Sequence, residues 1–181
     1  MVVPAEAIHG WIKKLSANNQ QGEFYLTDII SIAVAEGVPV LGEIIENAEE
    51  IIGINDRVQL AQAERILQRR QAQEVMIQGA TLADPGRFDL RGSLKVGRDV
   101  FIDVGAVFLG DVELGNRVCI GPNAIISDSI LGDDCIVREH CVIEGVKAGT
   151  ECEIGPYARL RPGTEFDKQV KVGNFVETKK T

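Results

Sequence analysis

Between Leu90 and Glu177 an apolar residue returns at every sixth position. Fifteen consecutive units open on Leu90, Val96, Ile102, Phe108, Leu114, Ile120, Ile126, Leu131, Val137, Ile143, Ala148, Ile154, Leu160, Phe166 and Val172. Seven openers are followed at once by glycine: Gly97, Gly115, Gly121, Gly132, Gly149, Gly155 and Gly173. A six-residue beat predicts a parallel β-helix in which each unit is one short strand plus a turn. Three units close one triangular coil, so residues eighteen apart stack at the ~4.8 Å spacing of parallel strands. The register has an internal check. Two units, Ile126–Ile130 and Ile143–Lys147, are one residue short, and counting in threes places both on the same side of the prism.

The fifth place of each unit carries small or β-branched residues, among them Val100, Ala106, Val118, Ala124 and Ala158, and is expected to point inward. Three of the four cysteines, Cys135, Cys141 and Cys152, share this slot, which predicts packed thiols rather than disulfides or metal ligands. The sixth place is expected to point outward. On one side it reads Phe101, Cys119, Ile136, and on the next Val107, Ile125, Val142, while Lys95 and Glu113 stand on the third. Apolar columns on an outer surface imply a cover: either a helix of the same chain or identical prisms side by side, for which a three-fold ring suits a triangular section.

The first eighty residues follow another period. Ile8, Trp11, Ile12 and Leu15 have helical spacing, with Pro4 tolerated at the entry. Thr27 is placed to cap a helix over 28–36 that Gly37 ends. Short strands are expected around Val40 and Ile51-Ile52, with Glu43, Glu46, Glu49 and Glu50 solvated. Asn55 is placed to cap a long helix from Asp56 to Gln78, rich in strong helix formers and ended by Gly79. So few elements leave little core of their own, which suggests part of a larger α/β domain.

With 27 acidic against 19 basic residues and a net charge of −8, the chain is a poor general partner for nucleic acid or anionic membrane. No apolar run is long enough to span a bilayer, and the basic-then-apolar pattern of a leader is absent. A cytoplasmic location is the default. Two histidines are too few for a His-based zinc site.

Lower on the prism the outward columns turn charged. Glu153 is expected over Lys171 and Arg159 over Glu177, each pair eighteen apart, an arrangement that is favourable across strands. Arg161 and Lys179, also eighteen apart, fall at one corner of adjacent coils. Two cations held close repel unless an anion lies between them, and arginine is suited to grip phosphate with two donors. The alternative is two independent solvated cations.

Four stretches carry a family likeness: 18–30 (NNQQGEFYLTDII), 53–60 (GINDRVQL), 84–92 (DPGRFDLRG), and 155–163 (GPYARLRPG) followed by 172–180 (VGNFVETKK). The chain resembles the bacterial bifunctional N-acetylglucosamine-1-phosphate uridylyltransferase / glucosamine-1-phosphate acetyltransferase. That resemblance implies a fold class: an α/β remnant of a nucleotidyltransferase domain, a long linking helix, then a left-handed parallel β-helix. The expected segments are 1–55, 56–86 and 87–181. Left-handedness comes from the resemblance alone, since parallel crossovers are usually right-handed. It further implies acetyl transfer from acetyl-CoA to glucosamine 1-phosphate and uridylyl transfer from UTP with Mg²⁺, giving UDP-N-acetylglucosamine for the cell envelope. A homotrimer built through the β-helix is implied as well.

Matched by motif, Asn55 corresponds to an asparagine that binds the metal and the sugar nucleotide, a role that competes with capping. Tyr25 and Thr27 fall near the sugar pocket. Arg161 and Lys179 match residues that hold the acceptor sugar phosphate, and Glu177 is placed beside the sugar. The family's Gly-rich phosphate loop and metal-sharing Asp have no counterpart here, and its catalytic His is expected beyond Thr181. The chain is thus expected to carry part of each active site and to catalyse neither reaction alone. Two other readings stay open: a related sugar-phosphate nucleotidyltransferase with a regulatory β-helix, and a non-catalytic trimerising module. A γ-class carbonic anhydrase shares the repeat but needs three histidines.

Overall fold

The computed structural model describes residues 1–179. The chain divides into two compact units, Met1–Ala48 and the residues from Glu49 onward.

The first unit is helical. Helix α1 (Ala5–Ile12) enters from Pro4 and buries Trp11, while Ile12 of the same expected stripe is exposed, and α2 (Ile29–Ala35) buries Ile29 and Ala33. These three residues form a small core, with Val3, Ala7, Leu15, Ile32 and Val38 packed around it. The Trp11 indole donates to Glu36 Oε2 at 2.8 Å, and Lys14 pairs with the other oxygen of the same carboxylate. Thr27 does not cap α2. It lies inside a 3₁₀ turn, Leu26–Asp28, that runs directly into the helix, and Asp28 at the boundary makes no side-chain cap. Gly37 follows α2 with φ +75°, the left-handed stop expected of it. The strands anticipated at Val40 and Ile51-Ile52 are absent: the first stretch is irregular, and Ala48–Ile51 is a 3₁₀ turn. Both lack a strand partner to satisfy their backbone, so local apolar character alone does not make a sheet. Leu41 and Ile44 are more than nine-tenths exposed.

The second unit opens with α3 (Arg57–Gln78), ended by Gly79 at φ +118°. Its cap is Asp56, not Asn55. Asp56 Oδ1 accepts from the Gln59 amide at 2.8 Å, while Gln59 Oε1 reaches back to the Asn55 amide at 2.6 Å. This pairing is a variant of the capping box in which the Gln59 side chain reaches the amide one residue before the cap. It leaves Asn55's side chain outside the cap, so the competition between its two expected roles falls away.

The prism begins earlier than the regular beat. Strand β1 (Ala80–Leu82) pairs in parallel with β3 (Val100–Ile102), Ala80 opposite Val100, twenty residues on. The 3₁₀ turn Pro85–Arg87 adds the extra length that breaks the period. Strands β2 (Asp89–Val96) and β4 (Val107–Leu114) pair along their whole length and bend round one corner. Three faces result. Face A stacks β1, β3 and the strands at Cys119, Ile136, Glu153 and Lys171. Face B stacks the first halves of β2 and β4 and the strands at Ile125, Val142, Arg159 and Glu177. Face C holds the second halves of β2 and β4 and the strands at Ile130, Lys147 and Glu165. Partners are eighteen apart, as Phe101 and Cys119, except where a short unit intervenes, as Cys119 and Ile136. Both short units lie at the B/C corner, between the strands at Ile125–Ser127 and Ile130–Leu131 and between Val142–Glu144 and Lys147–Ala148.

The openers form the core, with Phe108, Ile120, Ile126, Ile143, Ile154 and Leu160 fully buried. Each such side chain contributes ~1.5–3 kcal/mol through lost apolar exposure. The fifth-place thiols are buried and free, and burial pushes the Cys135 thiol up to about 11. They behave as packing atoms. At the C/A corner the glycines after the openers permit a close approach between coils: a Cβ on Gly115 would sit 2.6 Å from the Asp133 amide nitrogen and 2.8 Å from the Gly132 carbonyl carbon.

Helix α3 closes the first coil. Ala72 and Val75 join the prism core, and Gln68, only 2% exposed, accepts from the Leu90 amide at 2.7 Å and donates to the Leu90 carbonyl at 2.9 Å. One amide side chain thus replaces the strand missing from the end of face B. Because α3 packs on β1 and β2, it does not cover the outward apolar columns. Phe101 and Ile125 keep more than a third of their surface exposed.

Candidate functional site

The charged end of face B and the corner beyond it gather the residues of interest. Arg159 pairs with Glu177 and Leu160 with Thr178 across adjacent coils. The next residues along, Arg161 and Lys179, therefore leave the two strands at the same B/C corner, as the eighteen-residue spacing predicts. The turn after Arg161 is tied down: its carbonyl accepts from the Thr164 amide at 3.2 Å and from Thr164 Oγ1 at 2.8 Å. Thr164 is fully buried and its hydroxyl also meets Thr178 Oγ1 at 2.9 Å. Two coils are thereby latched directly beneath the cations.

The corner is not a pair of bare cations. Arg161 Nε and Nη2 both reach Glu177 Oε1, at 2.8 and 2.6 Å. Arg159 approaches the same oxygen at 3.7 Å and pairs with Glu144 at 3.1 Å. Glu177 thus offsets much of the repulsion inferred from spacing alone, and it orients the guanidinium. Lys179 is exposed and makes no ion pair among the described residues. Arg161 retains unused N–H donors. Together the three side chains make a corner of two cations and one carboxylate, able to take a further anion through Lys179 and the outer edge of Arg161. The Arg161–Glu177 contact escaped the stacking rule because it runs diagonally across sixteen residues. Its signal lay in the sequence: Arg159 and Arg161 flank Leu160 on one coil, so a carboxylate on the next coil can serve either.

The other expected site residues belong to other elements. Tyr25 and Thr27 belong to the first unit, at the 3₁₀ turn before α2. Asn55 is exposed just ahead of α3 in the second unit. Its neighbour Asp56 has one carboxylate oxygen committed to the helix cap. Among the described residues no group of three or more His, Cys, Asp or Glu comes together. Mg²⁺ needs several oxygen ligands in near-octahedral array. Asn55 offers one, so the residues present do not make a magnesium site by themselves. No helix among the described residues is long and apolar enough to cross a membrane.

The family of bacterial transferase hexapeptides (six repeats) matches residues 93–128, in keeping with a left-handed parallel β-helix preceded by a helical region. The bifunctional protein GlmU of Alkalilimnicola ehrlichii is 51% identical over 179 residues, 99% of this chain and 39% of the relative. That of Marinobacter nauticus is 50% identical over 180 residues, 99% of this chain and 40% of the relative. A hexapeptide-repeat-containing acetyltransferase of Vibrio cholerae, solved with acetyl coenzyme A, aligns over 67% of this chain and 87% of its own, with 15% identity and a TM-score of 0.47. The chain spans about two fifths of the length of the curated relatives it matches. The resemblance carried by the four motifs is borne out along nearly the whole chain.

Proposed function

We propose, on the premise that this chain is homologous to the bifunctional GlmU proteins over nearly all its length, that its β-helix serves acetyl transfer from acetyl-CoA to glucosamine 1-phosphate. Uridylyl transfer from UTP with Mg²⁺ would complete UDP-N-acetylglucosamine for the envelope, in the cytoplasm. The observation that carries this reading is the B/C corner, where the motif residues Arg161 and Lys179 leave neighbouring coils one above the other. A sugar phosphate docked there places its dianion against Lys179 and the free edge of Arg161. Glu177 holds Arg161 in place and lies within reach of a sugar hydroxyl or amine.

Acyl transfer needs the amine deprotonated by a general base and the developing oxyanion stabilised. The corner supplies neither. Its part is positioning, which removes the entropic cost of bringing acceptor and donor together. Segment 1–55 is read as nucleotidyltransferase, 56–86 as linking helix and 87–181 as acetyltransferase coils, with Asn55, Tyr25 and Thr27 on the nucleotide side. Homotrimers form through the outward columns of the β-helix.

Glucosamine 1-phosphate titrated into the chain and followed by isothermal calorimetry tests the corner. Binding should weaken about ten-fold or more in Arg161→Ala and in Lys179→Ala, with the loss of one charge-assisted contact, while the melting temperature hardly moves. Equal affinity in both variants would remove the site. A large fall in melting temperature for Arg161→Ala would make that residue structural instead.

A further inference from the structure

The first coil is covered from above on two of its three faces. On face A, β1 lies over β3, and on face B the Gln68 side chain takes both backbone groups of Leu90. Face C has no such cover. Backbone groups along β2 alternate: Leu90 faces up to Gln68, and the Gly97 amide just past the strand donates down to Leu114 at 2.8 Å. With β2 and β4 in unbroken register, Arg91, Ser93 and Lys95 therefore face down, and Gly92, Leu94 and Val96 face up. Among the described residues nothing pairs with the upward N–H and C=O groups of these three. Val96 is also only half-buried, whereas Ile102 on the same coil is enclosed. An open row of donors and acceptors at every second residue is a template for one more strand.

A groove of about 540 Å³ between α3 and β2 leads onto this edge, with Leu67, Gln71, Arg91 and Gly92 in its walls. Two of its groups are uncommitted. Gln71 Oε1 is buried without a hydrogen-bond partner among the described residues, which is costly unless a donor arrives. Arg91 is exposed and makes no ion pair among them. The carboxylates, by contrast, are engaged: Asp89 by Arg65 at 2.6 Å and Glu64 by Gln68 Nε2 at 2.9 Å. Farther along the edge Lys95 points outward over Glu113.

We propose that this groove and the upper edge of face C bind an extended, acidic segment of a partner polypeptide, which adds a strand above β2. Its main chain matches the spacing of Gly92, Leu94 and Val96 and brings an N–H to Gln71 Oε1, the mode of recognition called β-augmentation. Carboxylates at alternate positions of that strand meet Arg91 and Lys95, as opposite charges do on neighbouring strands. A second copy of this chain is a poor occupant. Laid on the same edge it brings the same two cations to Arg91 and Lys95, and cations on an edge are a device against self-pairing. The groove shares no residue with the Arg161 corner, so its occupancy is independent of the acceptor site.

The probe is a blocked, fluorescent hexapeptide alternating Glu and Val, titrated into the chain and followed by anisotropy and by hydrogen exchange. It should bind saturably and slow exchange at the Gly92, Leu94 and Val96 amides while leaving those of Arg91, Ser93 and Lys95 unchanged. Arg91→Glu should weaken binding about ten-fold or more and Gln71→Leu about three-fold or more, with thermal melts checking that both variants fold. A peptide with Lys in place of Glu, and a Glu peptide N-methylated at alternate amides, should each bind about ten-fold more weakly or worse. Equal binding of the N-methylated peptide reduces the contact to charge attraction and overturns the added strand. The absence of saturable binding, binding unaffected by both substitutions, or protection spread over even and odd residues alike overturns the site. Protection of Gly92, Leu94 and Val96 that rises with protein concentration in the absence of peptide assigns the edge to a second copy and overturns the proposal as well.

Discussion

Removing the polar tip of Gln68 tests how the prism is closed. Gln68→Met keeps the length and most of the volume of the side chain, so packing against Ala72 and Leu90 changes little. What disappears is the pair of hydrogen bonds to the Leu90 amide and carbonyl, at 2.7 and 2.9 Å, together with the part-buried bond that Gln68 Nε2 donates to Glu64 Oε1 at 2.9 Å. Leu90 is 6% exposed. A buried backbone group left without its partner costs ~1–3 kcal/mol, and two together ~2–6 kcal/mol. The groove alongside, lined by Gln71, Leu90, Arg91 and Gly92, admits water to the freed groups and moves the expectation to the low end, ~2–3 kcal/mol. Hydrogen exchange at the Leu90 amide reports the site directly. At tenfold per 1.4 kcal/mol, exchange should accelerate ~30- to 150-fold, while amides of the lower coils, such as Ile136 and Glu153, hardly change. Acceleration below threefold, or a uniform change along the prism, would refute the view that this one side chain stands in for a missing strand.

Three further outcomes are expected. Gly115→Ala should destabilise the prism by ~1–3 kcal/mol, because its Cβ meets backbone of the next coil. Gly173→Ala, with nothing within 4 Å of the added atom, should be neutral in the same thermal melt, and equal effects would discount the close approach. Hydrogen bonds from Lys14 and then Trp11 hold the Glu36 carboxyl below its usual 4.5. A carboxyl lowered in the folded state contributes stability above its unfolded pKa and loses it as pH falls through the folded pKa. Emission from Trp11, the single tryptophan, should therefore change as pH drops below 4.5, and Glu36→Gln should abolish that step. A step that persists in Glu36→Gln assigns the titration to another group. Arg138 lowers the Glu153 carboxyl in the same sense, so the ion ladder on face A also weakens on the acid side, and Glu153→Gln should flatten the prism's acid melting profile. An unchanged profile would make that ladder thermodynamically silent.

The prism was legible because its period is short and its core slots repeat. Ile120, Ile143 and Cys152 are buried where the sixfold count puts them, and even the two short units are located correctly. Strand β1 was missed because the turn at Pro85 to Arg87 stretches its spacing from eighteen to twenty, so Leu82 falls outside the beat. The cap of α3 was misplaced by one residue because Asn55 and Asp56 are both good caps. The decisive signal was Gln59 three residues after Asp56, whose amide the Asp56 carboxylate accepts from while its side chain reaches back to the Asn55 amide. In the first unit, strand propensity at Ile51-Ile52 had no neighbouring strand to act through. At the candidate site, vertical stacking was predicted and the diagonal reach of Arg161 to Glu177 was not, because side-chain length and turn geometry decide such contacts and sequence periodicity carries neither.

The two five-residue units show that the B/C corner absorbs a loss of length, as the A/B corner of the first coil absorbs the two extra residues around Pro85–Arg87. Deleting one residue there leaves every later strand on its own face, since the turn alone shortens. The same deletion in the middle of a strand would rotate all downstream side chains from interior to exterior. Chain length can therefore drift, or a loop be grafted, at a corner of the column without disturbing the faces it joins. Arg161 and Lys179 stand at the B/C corner, so variation in the turns around them can reshape what they grip while the scaffold behind them stays the same.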